Sequence, residues 1–204
     1  MRPKRFAFSL VALDANGYLS TTEGTGAGPW TTFLAQPADG CSHPVTITSA
    51  ANLSALTFTL TGTDAEGRTI SEAIVGPNAT AVTSVKYYRT VTSLSASSTV
   101  GANTFELGWT ALARTPIYPV NAYGTVGAAI AVDIGGTVTY SGNATNGDVF
   151  SLASDTLLFT AITGMAGATA DASVVAPLGS TGLRVSVASH TSGTLAITYS
   201  QGRG

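Results

Sequence analysis

Cysteine, histidine, charge and long apolar runs are all scarce in this chain of 204 residues. The single cysteine, Cys41, excludes an internal disulfide, so stability must come from packing or from partners. Charged residues make up 10%, against about 25% in an ordinary globular chain. The net charge of −2 offers no general attraction to nucleic acid, whose binding rests on Lys and Arg at phosphates. No apolar run reaches about 18 residues, so no membrane-spanning helix is expected. The opening MRPKRFAFSLVALDA carries a basic start and an apolar run at 6–13. That run is short, Asp14 ends it and no A-x-A site follows, so a cleaved signal is not expected.

What remains is apolar and small. Apolar residues are 44% and glycines number 23, with Ser and Thr filling much of the rest. A disordered chain would be poor in the first and rich in charge. Thr and Val suit pleated surfaces and Gly suits turns, so the composition points to an all-β protein. Few charges also make a surface cheap to desolvate, as at the cores of protein–protein interfaces.

The pattern agrees. Phe6, Phe8, Leu10 and Ala12 alternate, and DANGY reads as a turn opening a hairpin. Residues 21–32 and 36–44 read as loops. VTITS at 45–49 is a strand. In the stretch 56–78, Leu56, Phe58 and Leu60 alternate with threonines, Asp64-Ala65-Glu66-Gly67 turns the chain, and 69–75 returns. Residues 82–94 and 105–109 continue the strand pattern. Pro116 and Pro119 suggest a linker or edge segment at 113–124. Beyond it, strands are expected at 130–134, 137–140, 157–162, 183–188 and 195–199, separated by turns such as SGNATNGD and SHTSG. No stretch carries a capped helical period. VTITSAANLSALTFTLTG at 45–62 also resembles VSVASHTSGTLAITYSQG at 185–202, each reading as strand, polar turn, strand. Two related domains or two ordinary hairpins would both explain it.

The expected architecture is two β-sandwich modules, immunoglobulin-like or jelly-roll-like, with an extended N-terminal arm. Residues 1–34 form the arm and a loop, 35–112 the first module, 113–124 a linker and 125–204 the second module. The arm pairs with either module.

Reactive constellations are thin. Cys41 and His43 lie two apart, but zinc needs further ligands and the only other histidine is His190. His190, in SHTSG, reads as a turn residue, and no G-x-S-x-G nucleophile motif occurs. Asp64 and Glu66 read as solvated turn acids rather than a glycosidase pair. Asp148 with Asn143 and Asn146 lacks calcium-loop spacing. The glycines at 24–28 lack the Lys-Ser/Thr and the helix of a phosphate loop. Lys86-Tyr87-Tyr88-Arg89 mixes base and ring, but alternation along a strand splits it between two faces.

One resemblance adds to this. TITSAANLSALTFTLTGTDAEGRTISEAIVGPNATAVTSVKYYRTVTSLSAS at 46–97 resembles a pattern in structural proteins of tailed bacteriophages: an ITSAG-N opening, a TGTDA-G turn, an I-SE strand, a GPNA turn and T---Y--TVTS. GGTVTYSGNAT and LRVSVASHTSGTLAITYSQG, within 135–202, resemble the segments that follow more loosely. The resemblance implies a non-enzymatic virion component of β-sandwich modules, without catalytic, metal or cofactor residues. It implies copies arranged symmetrically on the head surface or the neck and collar, or else in the tail. Its partners would be other virion proteins and further copies of itself, not nucleic acid or membrane. It would be made in the bacterial cytoplasm and reside in the virion. The residues expected at protein interfaces are Arg2, Lys4, Arg5, Phe6 and Phe8 of the arm, and Trp30 in the Gly-rich loop. A receptor- or carbohydrate-binding adhesin is the competing reading, with Trp30, Trp109, Tyr87, Tyr88 and Tyr118 as stacking surfaces. A hydrolase on a sandwich scaffold is a third.

Overall fold

The structure, a computed structural model, describes residues 3–21, 26, 28–120, 127–150, 152 and 155–201. The described residues form an all-β chain without helices. The first strands are β1 (Lys4–Ser9), β2 (Asp14–Leu19), β3 (His43–Thr48), β4 (Thr57–Thr63), β5 (Thr69–Val75), β6 (Ala81–Tyr88), β7 (Thr90–Ala96) and β8 (Glu106–Trp109). After these come β9 (Ala113–Arg114), β10 (Tyr118–Pro119), β11 (Ala128–Thr145), β12 (Thr160–Ala161), β13 (Ala172–Val175) and β14 (Gly182–Gln201). All their pairings are antiparallel. The chain divides into two compact units. Unit 1 comprises Met1–Ala12, Asp39–Cys41 and Ala111–Gly204; unit 2 comprises Leu13–Ala38 and Ser42–Thr110.

Unit 2 contains a sheet ordered β2-β8-β3-β6 and another ordered β5-β4-β7. The alternation in TFTLTGT buries Phe58 and Leu60 and leaves Thr57 and Thr59 in water. Phe58 meets Phe105 edge-on at 5.2 Å, between ring centroids. The turn after β4 is held by one side chain. Asp64 Oδ1 accepts from the N–H of Glu66 (3.0 Å) and of Arg68 (2.8 Å). Gly67 takes φ 79°, a conformation that favours glycine. Asp64 is 1% exposed, so it is a buried acceptor and not the solvated turn acid expected from sequence.

A bulge interrupts β6 where Pro44 pairs with Tyr87 and Thr46 with Thr83. Side chains satisfy the backbone groups it frees. Ser84 Oγ accepts from Val45 N–H (2.8 Å) and donates to the Lys86 carbonyl (2.7 Å). The Glu72 carboxylate, on β5, accepts from the N–H groups of Val85 (2.8 Å) and Lys86 (2.9 Å). On β7, the Gln36 amide brackets Val91, accepting its N–H and donating to its carbonyl, both at 2.9 Å. Open sheet edges invite unwanted pairing, and these side chains cover two of them.

Unit 1 is built on one long ribbon. β11 and β14 pair from Ala128↔Gln201 to Thr145↔Gly182, with two register shifts near Thr137–Tyr140. The expected separate strands at 130–134 and 137–140 are therefore one strand, and so are those at 183–188 and 195–199. SHTSG is not a turn. Its polar residues sit at the shifts, where β14 carries extra residues opposite β11. The ribbon also folds back on itself. Ala176 N–H donates to the Ala128 carbonyl and Thr181 N–H to the Thr145 carbonyl. Five residues reach at most about 18 Å, whereas a straight strand from 128 to 145 would span about 56 Å. Tyr118 tells the same story: it pairs with Leu183, yet its ring stacks 4.4 Å from Tyr199, at the far end of β14. The fold encloses Ile130, Val132, Val138, Tyr140, Val185, Val187, Leu195 and Ile197. Gly193, facing Gly136 near the shifts, has φ 151°, and any side chain there would run into the Gly135 carbonyl.

The stretch expected as an arm enters both units. β1 pairs with β14, while β2 pairs with β8. DANGYL lies in β2, which pairs with β8 at Asp14 and Leu19 around an irregular middle where Asp14 Oδ1 accepts the Asn16 N–H (3.2 Å); β1 and β2 form no hairpin. In the expected linker, β9 and β10 both pair with β14; its residues 121–124 lie outside the described residues.

Candidate functional site

Four of the six expected interface residues stand on β1, whose pairing runs from Lys4↔Tyr199 to Ser9↔Thr194. Alternation puts Phe6 and Phe8 on one face and Arg5 on the other. Phe8 packs against the unit 1 core. Phe6 remains 41% exposed, edge-on to Tyr118 at 6.2 Å and to Tyr199 at 6.0 Å. Arg5 lies 3.4 Å from Asp133, an exposed pair of little energetic weight. Arg2 lies outside the described residues, as do 22–25 and 27 of the Gly-rich loop. Trp30 belongs to unit 2. Its backbone exchanges hydrogen bonds with Leu94 (2.8 and 2.9 Å) and its ring meets Phe105 edge-on at 5.0 Å. The structure therefore gathers Lys4, Arg5, Phe6 and Phe8 on one edge strand and places Trp30 in the other unit.

The remaining candidates are occupied structurally. Cys41 is buried in unit 1, its N–H donating to Asp39 Oδ1 at 2.9 Å. His43 opens β3 in unit 2, buried, with Nδ1 3.1 Å from the Thr110 carbonyl oxygen. His190 is a buried residue of β14, with Nδ1 3.0 Å from the Ala111 carbonyl oxygen. Asn143 also lies in a strand, donating to the Ser141 carbonyl (2.8 Å) and to Ser186 Oγ (3.1 Å). Asp148 instead accepts the Phe150 N–H at 3.0 Å, closing a local turn. Among the described residues no group of three or more His, Cys, Asp or Glu side chains converges. In the Lys86–Arg89 stretch Tyr88 is fully buried and Arg89 exposed. Trp109 is buried against Tyr18, with ring centroids 5.0 Å apart.

Two phenols are perturbed. Burial pushes Tyr199 well above the usual phenol range, and the neighbouring Thr115 hydroxyl works the other way. Burial also raises Tyr140, helped by the Asp171 and Asp133 carboxylates. Both keep a neutral hydroxyl inside the unit.

Sequence reading missed one surface feature of unit 1. Phe150 (79%) and Leu158 (81%), between β11 and β12, and Leu178 (82%), between β13 and β14, are strongly exposed. Near the ends of β11 and β14, Thr181 Oγ1 donates to the Gly147 carbonyl at 2.6 Å. The signal available was DVFSLASDTLLF, where bulky apolar residues cluster without strand alternation. No helix among the described residues is long and apolar enough to cross a membrane. No protein family matches the chain, and neither any curated protein nor any solved structure does.

Proposed function

We propose that the chain is a non-enzymatic structural subunit of a tailed phage particle. Several symmetric copies stabilise the head surface or the head–tail neck and collar through loop and first-strand contacts. A place in the tail is the variant of this reading. The subunit is made in the bacterial cytoplasm, and its partners are other virion proteins and its own copies. It needs no cofactor, metal, nucleic acid or membrane.

The observation that carries the reading is the resemblance at 46–97, which coincides with β3 to β7 and with the turn built on Asp64. The groups in this stretch that look reactive serve the backbone: Asp64 holds a turn, Glu72 and Ser84 a bulge. In its finer form the reading makes each unit a β-sandwich, immunoglobulin-like or jelly-roll-like. The Phe58–Phe105 contact and the folded ribbon support that form. The adhesin reading draws less support, since Trp109 and Tyr88 are buried and Trp30 packs on Phe105.

Mass spectrometry and imaging of purified particles test the proposal. The protein is expected in them at a fixed copy number. Its absence would sink the reading, and glycan-array binding lost in Trp30→Ala would favour the adhesin.

A further inference from the structure

We infer that β1 is the seam between two copies of this chain, paired antiparallel about a two-fold axis at Ala7. The inference rests on the multi-copy reading above and names the partner and the register of its first-strand contact. β1 is an edge strand. On one side it pairs with β14, and on the other no strand pairs with it among the described residues. Lys4, Arg5, Phe6, Ala7 and Ser9 are exposed.

The phase of the hydrogen bonds says which backbone groups stand open. Leu10 N–H donates to the Gly193 carbonyl at 3.2 Å, in the same register that pairs Ser9 with Thr194. Bonded pairs alternate in an antiparallel ladder, so Lys4, Phe6 and Phe8 also turn their N–H and C=O toward β14. Arg5, Ala7 and Ser9 turn theirs outward. This open stretch is closed at both ends. Pro3, next in the outward phase, has no N–H to offer. Val11 is outward as well, and the Asp39 carboxylate accepts its N–H at 3.2 Å. Gln36 and Glu72 shield edges in unit 2, and Asp39 does so at Val11. Among the described residues nothing shields the backbone of Arg5, Ala7 and Ser9, and a bare edge is a template for another strand.

The window is symmetric about Ala7, and the chain's own β1 fits it in one register. With Ala7 facing Ala7, Arg5 exchanges hydrogen bonds with Ser9 of the second copy, and Phe6 lies opposite its Phe8. Phe6, 41% exposed in a single copy, thereby gains an aromatic neighbour. The two Arg5 side chains then stand four residues apart, about 14 Å along the strands, beyond the screening length of about 8 Å. An axis at Phe6 would bring them to about 7 Å along the strands, inside that length. An axis at Phe8 would set Arg5 against Val11, whose N–H Asp39 already holds. Blocks equally spaced about Ala7 are what a two-fold axis requires, and an unrelated strand needs no such symmetry. Strand addition at an edge is an established mode of binding, and a reciprocal contact of one patch with itself closes a homodimer.

Sedimentation of the full chain across about 1–100 μM tests this, and a reversible dimer is expected. Ala7→Pro removes the central outward N–H and no bond to β14. It should weaken the dimer at least about tenfold while the monomer keeps its circular dichroism, since edge strands accept proline where the N–H faces solvent. Charge at Ser9 reads the register without altering the backbone. Ser9→Glu, opposite Arg5 of the second copy, should tighten the dimer about threefold, and Ser9→Arg should weaken it by about as much. Should Ala7→Pro misfold, the Ser9 variants decide alone. A monomer at every concentration overturns the inference, including one that pairs through β1 only with another virion protein. So does a dimer that tolerates Ala7→Pro in a folded chain, or that responds alike to Ser9→Glu and Ser9→Arg. These outcomes leave the multi-copy reading standing, because another surface can hold the copies. Absence from purified particles, by contrast, sinks that reading whatever the dimer does.

Discussion

Residues 45–62 and 185–202 read almost alike, yet the fold treats them differently. The first leaves the sheet of β3 at Thr48, crosses eight residues and enters the other sheet of unit 2 as β4. The second continues without a break to Gln201 as a single strand of the ribbon. Aligned end to end, Leu53 falls opposite Gly193. Leu53 is 2% exposed, so its side chain anchors the crossing in the unit 2 core. At Gly193 there is no side chain, and the strand runs on through a tight approach to Gly135. The apolar phase differs as well: Phe58 and Leu60 in the first stretch align with Thr198 and Ser200 in the second. A one-residue change of phase sends every following side chain to the other face. Likeness of composition therefore concealed two different uses of the same residues.

The sharpest way to break this contrast is Gly193→Leu, which gives the second stretch the residue of the first. It should cost unit 1 at least about 3 kcal/mol through the clash with the Gly135 carbonyl and the unfavourable backbone angle. Urea unfolding followed by circular dichroism measures it, and a loss below about 1 kcal/mol would mean that the bend tolerates a side chain. Second in size is Asp64→Ala, beyond the end of β4. Removing the acceptor of two backbone N–H groups should cost about 2 kcal/mol. A variant as stable as the parent would show that water replaces the carboxylate there.

A smaller effect separates the regions by pH. The buried Tyr199 hydroxyl stays protonated in the folded chain, while the unfolded chain ionises it near about 10. Its contribution is complete below that pH and is lost as pH rises further. Melting temperature should therefore fall above about pH 10, and less steeply in Tyr199→Phe. Parallel curves for the two proteins would remove Tyr199 from the account. The smallest expected change is Arg5→Ala, beside the second stretch on β1. With both partners of the Arg5–Asp133 pair exposed, stability should move by less than about 0.5 kcal/mol. A larger loss in thermal melts would reveal a role beyond that pair.

The all-β class and the 56–78 hairpin were legible, because period-two alternation, Gly67 and the Asp-led turn are local signals. The ribbon was not. Its polar SHTSG stretch has turn composition, and only pairing with β11, some fifty residues away in sequence, makes it strand. DANGYL was legible in part: Asp14 makes the local contact with Asn16, but only pairing with β8 at Asp14 and Leu19 makes the segment a strand. Alternation placed Phe6 and Phe8 on one face of a strand from sequence alone. The neighbours of that strand, Tyr118 and Tyr199, are set by tertiary pairing and were not visible. Nor did sequence assign Trp30 to a unit, since its partners Leu94 and Phe105 lie more than sixty residues downstream.

The pairing of β1 with β14 has a consequence in time. Phe6 finds its partner at Ile197, so the edge of unit 1 stays open until residue 197 has left the ribosome. Unit 2 draws on nothing beyond Thr110 and can close first. Refolding should therefore show an early phase reported by Trp30 and Trp109, both in unit 2, and a later one reported by the Tyr118–Tyr199 stack, because distant pairings form slowly.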